Sequence, residues 1–340
     1  MGTLEKLARL AKYSIKGVTK EFDRNTLPWI DKATDADVDN FMAKNDFSSF
    51  PYDMKEKLNF WRKNGYVIFE KAIAKEWIDG FVRDFESFQE NNENFDACVL
   101  VETPSEWTER GEFKAREVPT DVLKAKGIKV NDFYNISEIG KKVMLHPVLM
   151  GFLKAIFQDV PVGMQSLNFT YGSQQPAHMD FPYVVSGIPS HLAAAWIPLE
   201  DVKADSGPLF YYAGSHKMKK FNWGNGIIYH VRESYYTPVQ FANWLEKNCK
   251  KNGYKKEVLL IEKGDVLIWH AALVHGGTVI SNPEQTRKSY VCHYSTKQGL
   301  PGHRFAKNET PTEYKFGEGV CYEHPTLKKE ENFYKDEITS

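Results

Sequence analysis

The sequence has little cysteine: four residues among 340, Cys98, Cys249, Cys292 and Cys321, far apart and never in C-x-x-C spacing. A chain this long can bury a large core without covalent staples, so no disulfide framework is expected and the thiols read as reduced. Long apolar runs are missing too; none approaches the roughly 18 residues that a membrane-spanning helix needs. Charge of one sign is not in excess, since 44 Lys and Arg stand against 45 Asp and Glu, for a formal net charge of −1. That balance gives no electrostatic case for nucleic acid as a main partner. There is no internal repeat and no low-complexity segment. What remains is ordinary globular composition, 42% hydrophobic and 26% charged. The expectation is a soluble, intracellular protein.

The first 57 residues read as an extension. Residues 1–20 are basic and amphipathic, with Leu4, Leu7, Ala11, Ile15 and Val18 at helical spacing. This fits a helix packed on the body of the protein and leaves organelle targeting as a second reading. Residues 58–160 read as helical support. Leu58, Phe60 and Trp61 mark a helix that stops at Asn64-Gly65, a C-cap signal, and the short β-type run YVIF comes next. Trp77, Phe81, Val82 and Phe85 mark a second amphipathic helix, and 139–157 a further helical stretch. Then the periodicity switches. The runs QSLNFTY, AAAWIPL, PLFYYAG, VLLIE, DVLIWH and SYVCHYS are separated by Gly, Pro, Asp and Ser clusters. That is the pattern of an antiparallel sandwich or barrel. The predicted fold is mainly β with helices: one domain over 1–340, with a double-stranded β-helix (jelly-roll) core at 161–300. A long insertion at 218–257 is expected to form a lid, and 301–340 an irregular covering tail.

The strongest chemical signal is His178-Met179-Asp180. In a strand, side chains two apart share a face, so this imidazole and carboxylate can grip one metal ion. With one more imidazole they make the facial triad of non-haem iron(II) oxygenases, which leaves three coordination positions open. Ten histidines are present, so an H-x-D alone says little. The motifs downstream, and their order, say more. Trp196-Ile-Pro-Leu-Glu-Asp-Val lies 18 residues on, succeeded by Ser206-Gly207-Pro208-Leu209 and Gly214-Ser215-His216-Lys217. Next come the run from Gly264-Asp265 to His275-Gly276, and then Arg287-Lys288-Ser289. Gln175-Pro176 stands just ahead of His178.

This succession resembles the phytanoyl-CoA dioxygenase family of Fe(II)/2-oxoglutarate-dependent oxygenases, over roughly residues 58–296. The resemblance implies iron ligation by His178, Asp180 and His275, with 2-oxoglutarate and O2 as co-substrates. It matches Arg287 to the arginine that holds the distal carboxylate of 2-oxoglutarate, a role suited to a planar guanidinium fork. Ser289, two residues on, shares its strand face; Trp196 and Leu167 match residues that line the co-substrate pocket. Asp180 fills the place that halogenating relatives leave to a small residue, so hydroxylation is the implied outcome, with desaturation or ring closure open to the same chemistry.

Other residues read more plainly. His270 could replace His275 as a ligand, but the family's distal histidine is the one with Gly after it, so His270 reads as packed. His216 reads as ordering a turn; His191, His230 and His293 as ordinary; Phe210-Tyr211-Tyr212 as sheet core. Two rival functions stand beside the oxygenase: a metal-binding jelly roll without turnover, and a cupin-type metalloenzyme that does not use 2-oxoglutarate. Neither needs Arg287. The substrate is read only as a small molecule, polar or anionic, met by Gln175, Phe181, Tyr183 and Arg232 beneath a lid from 181–195 and 218–257. Oligomeric state is not legible.

Overall fold

The structure, a computed structural model, describes residues 21–102, 111–224, 226–231, 234–300 and 311–323. The amphipathic pattern of 1–20 lies outside them. Two helices come first, α1 (Trp29–Lys32) and α2 (Asp35–Lys44), the second opened by a reciprocal capping box between Thr34 and Asp37. Helix α3 (Met54–Asn64) starts on Asp53 and stops at Gly65, whose φ of 78° is the left-handed cap that Asn-Gly announces. A side chain at Gly65 would meet a second obstacle, because its Cβ would lie 2.4 Å from His216 Nδ1. Strand β1 (Tyr66–Phe69) and helix α4 (Lys75–Glu90) complete the helix–strand–helix order read from the sequence.

Residues 98–131 depart from the expected helical support. They form β2 (Cys98–Val101), β3 (Gly111–Lys114) and β4 (Ile128–Asn131), with a short α5 (Thr120–Leu123) before β4. Each strand has four residues, too few to establish a period of two. The stretch 139–157 is two helices, α6 (Glu138–Met144) and α7 (Pro147–Phe157), because Pro147 cannot continue a helix but is well suited to begin one.

The remaining elements are β5 (Pro161–Phe169), β6 (Ala193–Pro198), β7 (Leu209–Tyr212), α8 (Pro238–Lys251), β8 (Lys256–Val258), β9 (Val266–His270), β10 (His275–Gly277), β11 (Ser289–Thr296), β12 (Thr312–Phe316) and β13 (Gly319–Glu323). The large sheet runs β1-β9-β6-β11-β5-β4-β2-β3, and every neighbouring pair on that path is antiparallel. A three-stranded sheet, β10-β7-β8, faces it, and the expected jelly-roll core is present. Two details correct the expectation. The tail is not wholly irregular: β12 and β13 form a hairpin, and β13 adds to β5 in parallel. The run VLLIE leaves the strand after Val258, with one last ladder bond from the Leu259 amide to the Leu209 carbonyl at 2.8 Å.

Alternation along the strands divides two cores. Ala193, Ala195 and Ile197 of β6, Val266 and Ile268 of β9, and Tyr290, Cys292 and Tyr294 of β11 pack outward with Phe81, Phe85, Phe88 and Phe152 of the helices. The intervening residues Ala194, Trp196, Leu267, Trp269 and Val291 pack inward with Phe169, Leu209 and Tyr211. Arg287, two residues ahead of β11 and held by its amide on the Thr170 carbonyl, leads the inward row that continues through Ser289, Val291 and His293 before a register shift at His293/Tyr294.

Candidate active site

His178 and His275 exchange backbone hydrogen bonds of 2.8 and 3.0 Å in an isolated antiparallel bridge. This holds their rings side by side, with centroids 4.2 Å apart. Asp180 is tied down by its amide on the Ala271 carbonyl at 3.0 Å. One ligand atom from each of His178, Asp180 and His275 lies within 4.8 Å of the others. Asp180 Oδ1 is 3.7 Å from His178 Nε2 and 3.4 Å from His275 Nε2.

Neighbouring groups decide which atoms face the centre. His178 Nδ1 sits 2.8 Å from the Pro176 carbonyl and His275 Nδ1 3.0 Å from that of Leu273. A carbonyl can only accept, so both Nδ1 atoms carry the proton and both Nε2 lone pairs point inward. Trp269 Nε1 donates to Asp180 Oδ2 at 2.7 Å, which leaves Oδ1 toward the imidazoles. Burial, with His275 beside it, pushes His178 down to about 3, so its imidazole is neutral as a ligand must be. Burial alone would push Asp180 up; His275, His293 and His178 together hold it below the usual carboxylate range.

Arg287 lies farther along the same cavity. It is 3% exposed, and its guanidinium stacks over the Trp196 ring at 5.3 Å. Nη1 donates to the Gly207 carbonyl at 3.0 Å, while Nε is buried without a partner. No carboxylate among the described residues pairs with it. Burial lowers its pKa to about 10, which still leaves it charged at neutral pH.

A model of the phytanoyl-CoA dioxygenase (PhyH) family matches residues 61–289. The chain belongs to this family of Fe(II)/2-oxoglutarate-dependent oxygenases. It is similar to peroxisomal phytanoyl-CoA dioxygenase of Bos taurus, 20% identical over 255 residues, covering 71% of this chain and 68% of that protein. The Homo sapiens protein is 22% identical over 259 residues, with the same coverage. In structure the chain resembles EctD of S. alaskensis with bound Fe, at a TM-score of 0.55 and 14% identity, covering 75% of this chain and 80% of that one. It also resembles the epimerase SnoN in complex with Fe3+, alpha ketoglutarate and nogalamycin RO, at 0.53 and 14%, covering 79% and 98%. At such identity these structures establish the fold.

The donor set fits the metal that the PhyH family uses. Two imidazole nitrogens and a carboxylate oxygen converge, the donor set of a facial iron site. The cavity fits the co-substrate as well, because its buried cation retains an unfilled donor. Leu167, Gln175, Trp196 and Arg287 line that cavity together with His178, Asp180 and His275. Leu167 and Trp196 both stand opposite Val291 in the sheet. Trp196 Nε1 is buried and unbonded. Ser289 is fully buried beside Phe169 and Pro198, its hydroxyl without a partner, and does not line the cavity.

The expected lid residues go elsewhere. Phe181 packs edge-on against Phe22 at 5.0 Å, and Tyr183 against Trp223 and His230. Phe181 belongs with Phe22, Met179, Trp223 and Phe241 to an apolar cluster, against whose edge the exposed Tyr183 ring rests, and neither Phe181 nor Tyr183 lines the cavity. Residues 193–195, placed in that lid, are the start of central strand β6. Arg232 lies outside the described residues. His270 faces away from the centre as read: its Nδ1 accepts from the Ala272 amide at 2.9 Å and its Nε2 is 3.4 Å from Asp31. Two residues were missed. Trp269 orients Asp180, and His293, read as ordinary, lines the cavity with Nε2 3.7 Å from Asp180 Oδ2. Counting by twos from Arg287 along the strand would have put His293 on the inner face.

Proposed function

We propose that this chain oxidises an aliphatic C–H of a small-molecule metabolite, consuming 2-oxoglutarate and O2 and releasing succinate and CO2. His178, Asp180 and His275 hold the iron in this reading, Arg287 takes the distal carboxylate of 2-oxoglutarate, and Trp196 and Leu167 wall it in. The observation that carries the proposal is Arg287. A buried guanidinium without a counter-ion costs several kcal/mol unless an anion arrives to pair with it. Its place beside a His-Asp-His set calls for an anion that reaches from the arginine toward the metal, as a dicarboxylate does.

Bound iron would supply oxygen activation and the oxidising power to break a C–H bond. The work of the chain is positional. The Pro176 and Leu273 carbonyls fix both imidazole tautomers, and Trp269 fixes the carboxylate. The inward row of Leu167, Trp196 and Val291 keeps that end of the cavity apolar, which strengthens the charge pairing at Arg287. Hydroxylation is the default outcome, because Asp180 occupies the carboxylate position.

The test is direct. Wild-type protein given iron(II), 2-oxoglutarate, air and ascorbate as the two-electron reductant in place of substrate is expected to release succinate, and an iron chelator to stop it. Full release in the chelated protein, or none in the iron-loaded protein, would defeat the reaction class.

A further inference from the structure

Past β5 the large sheet continues through β4, β2 and β3, whereas among the described residues the facing sheet ends at the His178–His275 bridge. Among the described residues the inner face of that continuation is therefore a shelf that the facing sheet leaves uncovered at the side of the cavity. Register identifies the residues on it. Asn131 stands opposite Leu167, a cavity-lining residue, so the two share a face. Lys129 is two residues from Asn131 and opposite Leu100, and Cys98 is two from Leu100. Gln165, two from Leu167, stands opposite His293. The outer face at this place, Val99, Val101, Val130 and Asn168, is fully buried, while Cys98, Leu100, Asn131 and Gln165 remain half-buried.

The carboxamides of the shelf, on Asn131 and Gln165, are neutral, and the Glu112 carboxylate opposite Leu100 is met by the Cys98 thiol. Asn131 Oδ1 is shielded from water without a partner, and its Nδ2 meets only the Cys98 sulfur at 3.5 Å. The Gln165 carboxamide has no hydrogen-bond partner among the described residues. A half-satisfied carboxamide at the rim of a cavity is a site that a ligand can complete. The cations, by contrast, are already matched. Lys129 pairs with Glu102 at 2.5 Å and lies over the Phe169 ring, and Lys114 pairs with Asp96 at 3.2 Å.

We propose that the substrate lies on this shelf and is a neutral small molecule bearing hydroxyl or amide groups, read by the carboxamides of Asn131 and Gln165, with an apolar edge against Leu100 and Leu167. This rests on the oxygenase reading above and narrows its polar-or-anionic substrate to the uncharged class. An anionic substrate would need a free cation here, and Arg287 is committed to the co-substrate.

The experiment is equilibrium dialysis of the iron- and 2-oxoglutarate-loaded protein without oxygen, against a methyl glycoside, an N-acetyl amino-acid amide and a medium-chain acyl-CoA. At least one neutral probe is expected to bind. Asn131→Leu and Gln165→Leu should each weaken that binding about tenfold, the loss of one buried hydrogen bond. Binding of the acyl-CoA in preference to both neutral probes, no binding of either neutral probe, or unchanged affinity in both variants would overturn the proposal. Succinate release by the wild type in air with ascorbate as reductant and no probe present is measured alongside. Its absence while a neutral probe still binds and responds to the variants defeats the reaction class and leaves the shelf standing.

Discussion

Two cations are buried in this fold without a carboxylate partner among the described residues, Arg287 in the cavity and Lys220 in the insertion. Burial lowers both, to about 10 and about 8. Yet only one marks a ligand site. Lys220 donates to the His216 and Met218 carbonyls, both at 3.0 Å, and sits 4.7 Å from the Phe22 ring centroid. Its donors are occupied by the fold itself, and it pins the strap carrying Phe22 to the insertion. Arg287 spends one bond on Gly207 and leaves Nε buried and unfilled against the cavity. A buried charge points to a ligand when its hydrogen-bonding is left incomplete, and to architecture when it is not. Two histidines on either side of the Ala271–Val274 turn repeat the lesson. His275 turns a free lone pair to Asp180, while His270 uses Nδ1 on Ala272 and Nε2 toward Asp31.

The histidine contrast should give the largest effect. His275→Ala is expected to lose bound iron and to drop succinate release to background, while His270→Ala keeps its metal. Metal content per chain reads both, and the contrast fails if His275→Ala stays loaded. Trp269→Phe comes next. Removing its N–H from Asp180 should weaken iron binding roughly 10- to 100-fold, the usual effect of a group that orients a ligand. An unchanged iron titration would show that Asp180 needs no such support.

Lys220 gives the smallest effect and a pH signature. Its folded pKa of about 8 lies below the roughly 10.4 of an unfolded lysine, so the unfolded chain binds that proton more tightly. Burial is the main cause; Glu21 and Asp31 offset part of it. The penalty is fully present below about pH 8 and shrinks as pH rises toward the unfolded value. Lys220→Met carries no such penalty. The stability difference should therefore shift toward the wild type by about 2 kcal/mol between pH 7 and pH 10. Denaturant melts of both proteins at the two pH values measure it, and a difference that does not move with pH would mean that the Lys220 environment is wetter than its burial indicates.

How much of this was legible in the sequence depended on spacing. His178 and Asp180 were readable because i,i+2 residues share a strand face, and the ordered motifs placed His275, Arg287, Trp196 and Leu167. Asn64-Gly65 announced its helix end for a local reason, the ease with which glycine takes positive φ. The shelf strands were not readable, because four residues cannot display alternation and the pairing of β4 with β5 that attaches them is non-local. The position of the insertion was not readable either. Apolar residues such as Phe181, Phe221 and Phe241 announce a cluster, but nothing local says what it packs against. Trp269 needed the register of β9, which only the assembled sheet provides, whereas counting by twos from Arg287 was enough to place His293 on the inner face.

The central claim is that Arg287 awaits the distal carboxylate of 2-oxoglutarate, and a titration of succinate formation against 2-oxoglutarate tests it most directly. Losing a buried bidentate charge pair costs on the order of 2–5 kcal/mol, or roughly 30- to several-thousand-fold in affinity. Arg287→Ala should raise half-saturation by that factor while iron loading stays nearly unchanged. Arg287→Lys should recover part of it, because the charge survives and the planar fork does not. Half-saturation in Arg287→Ala equal to that of the wild type would contradict the account.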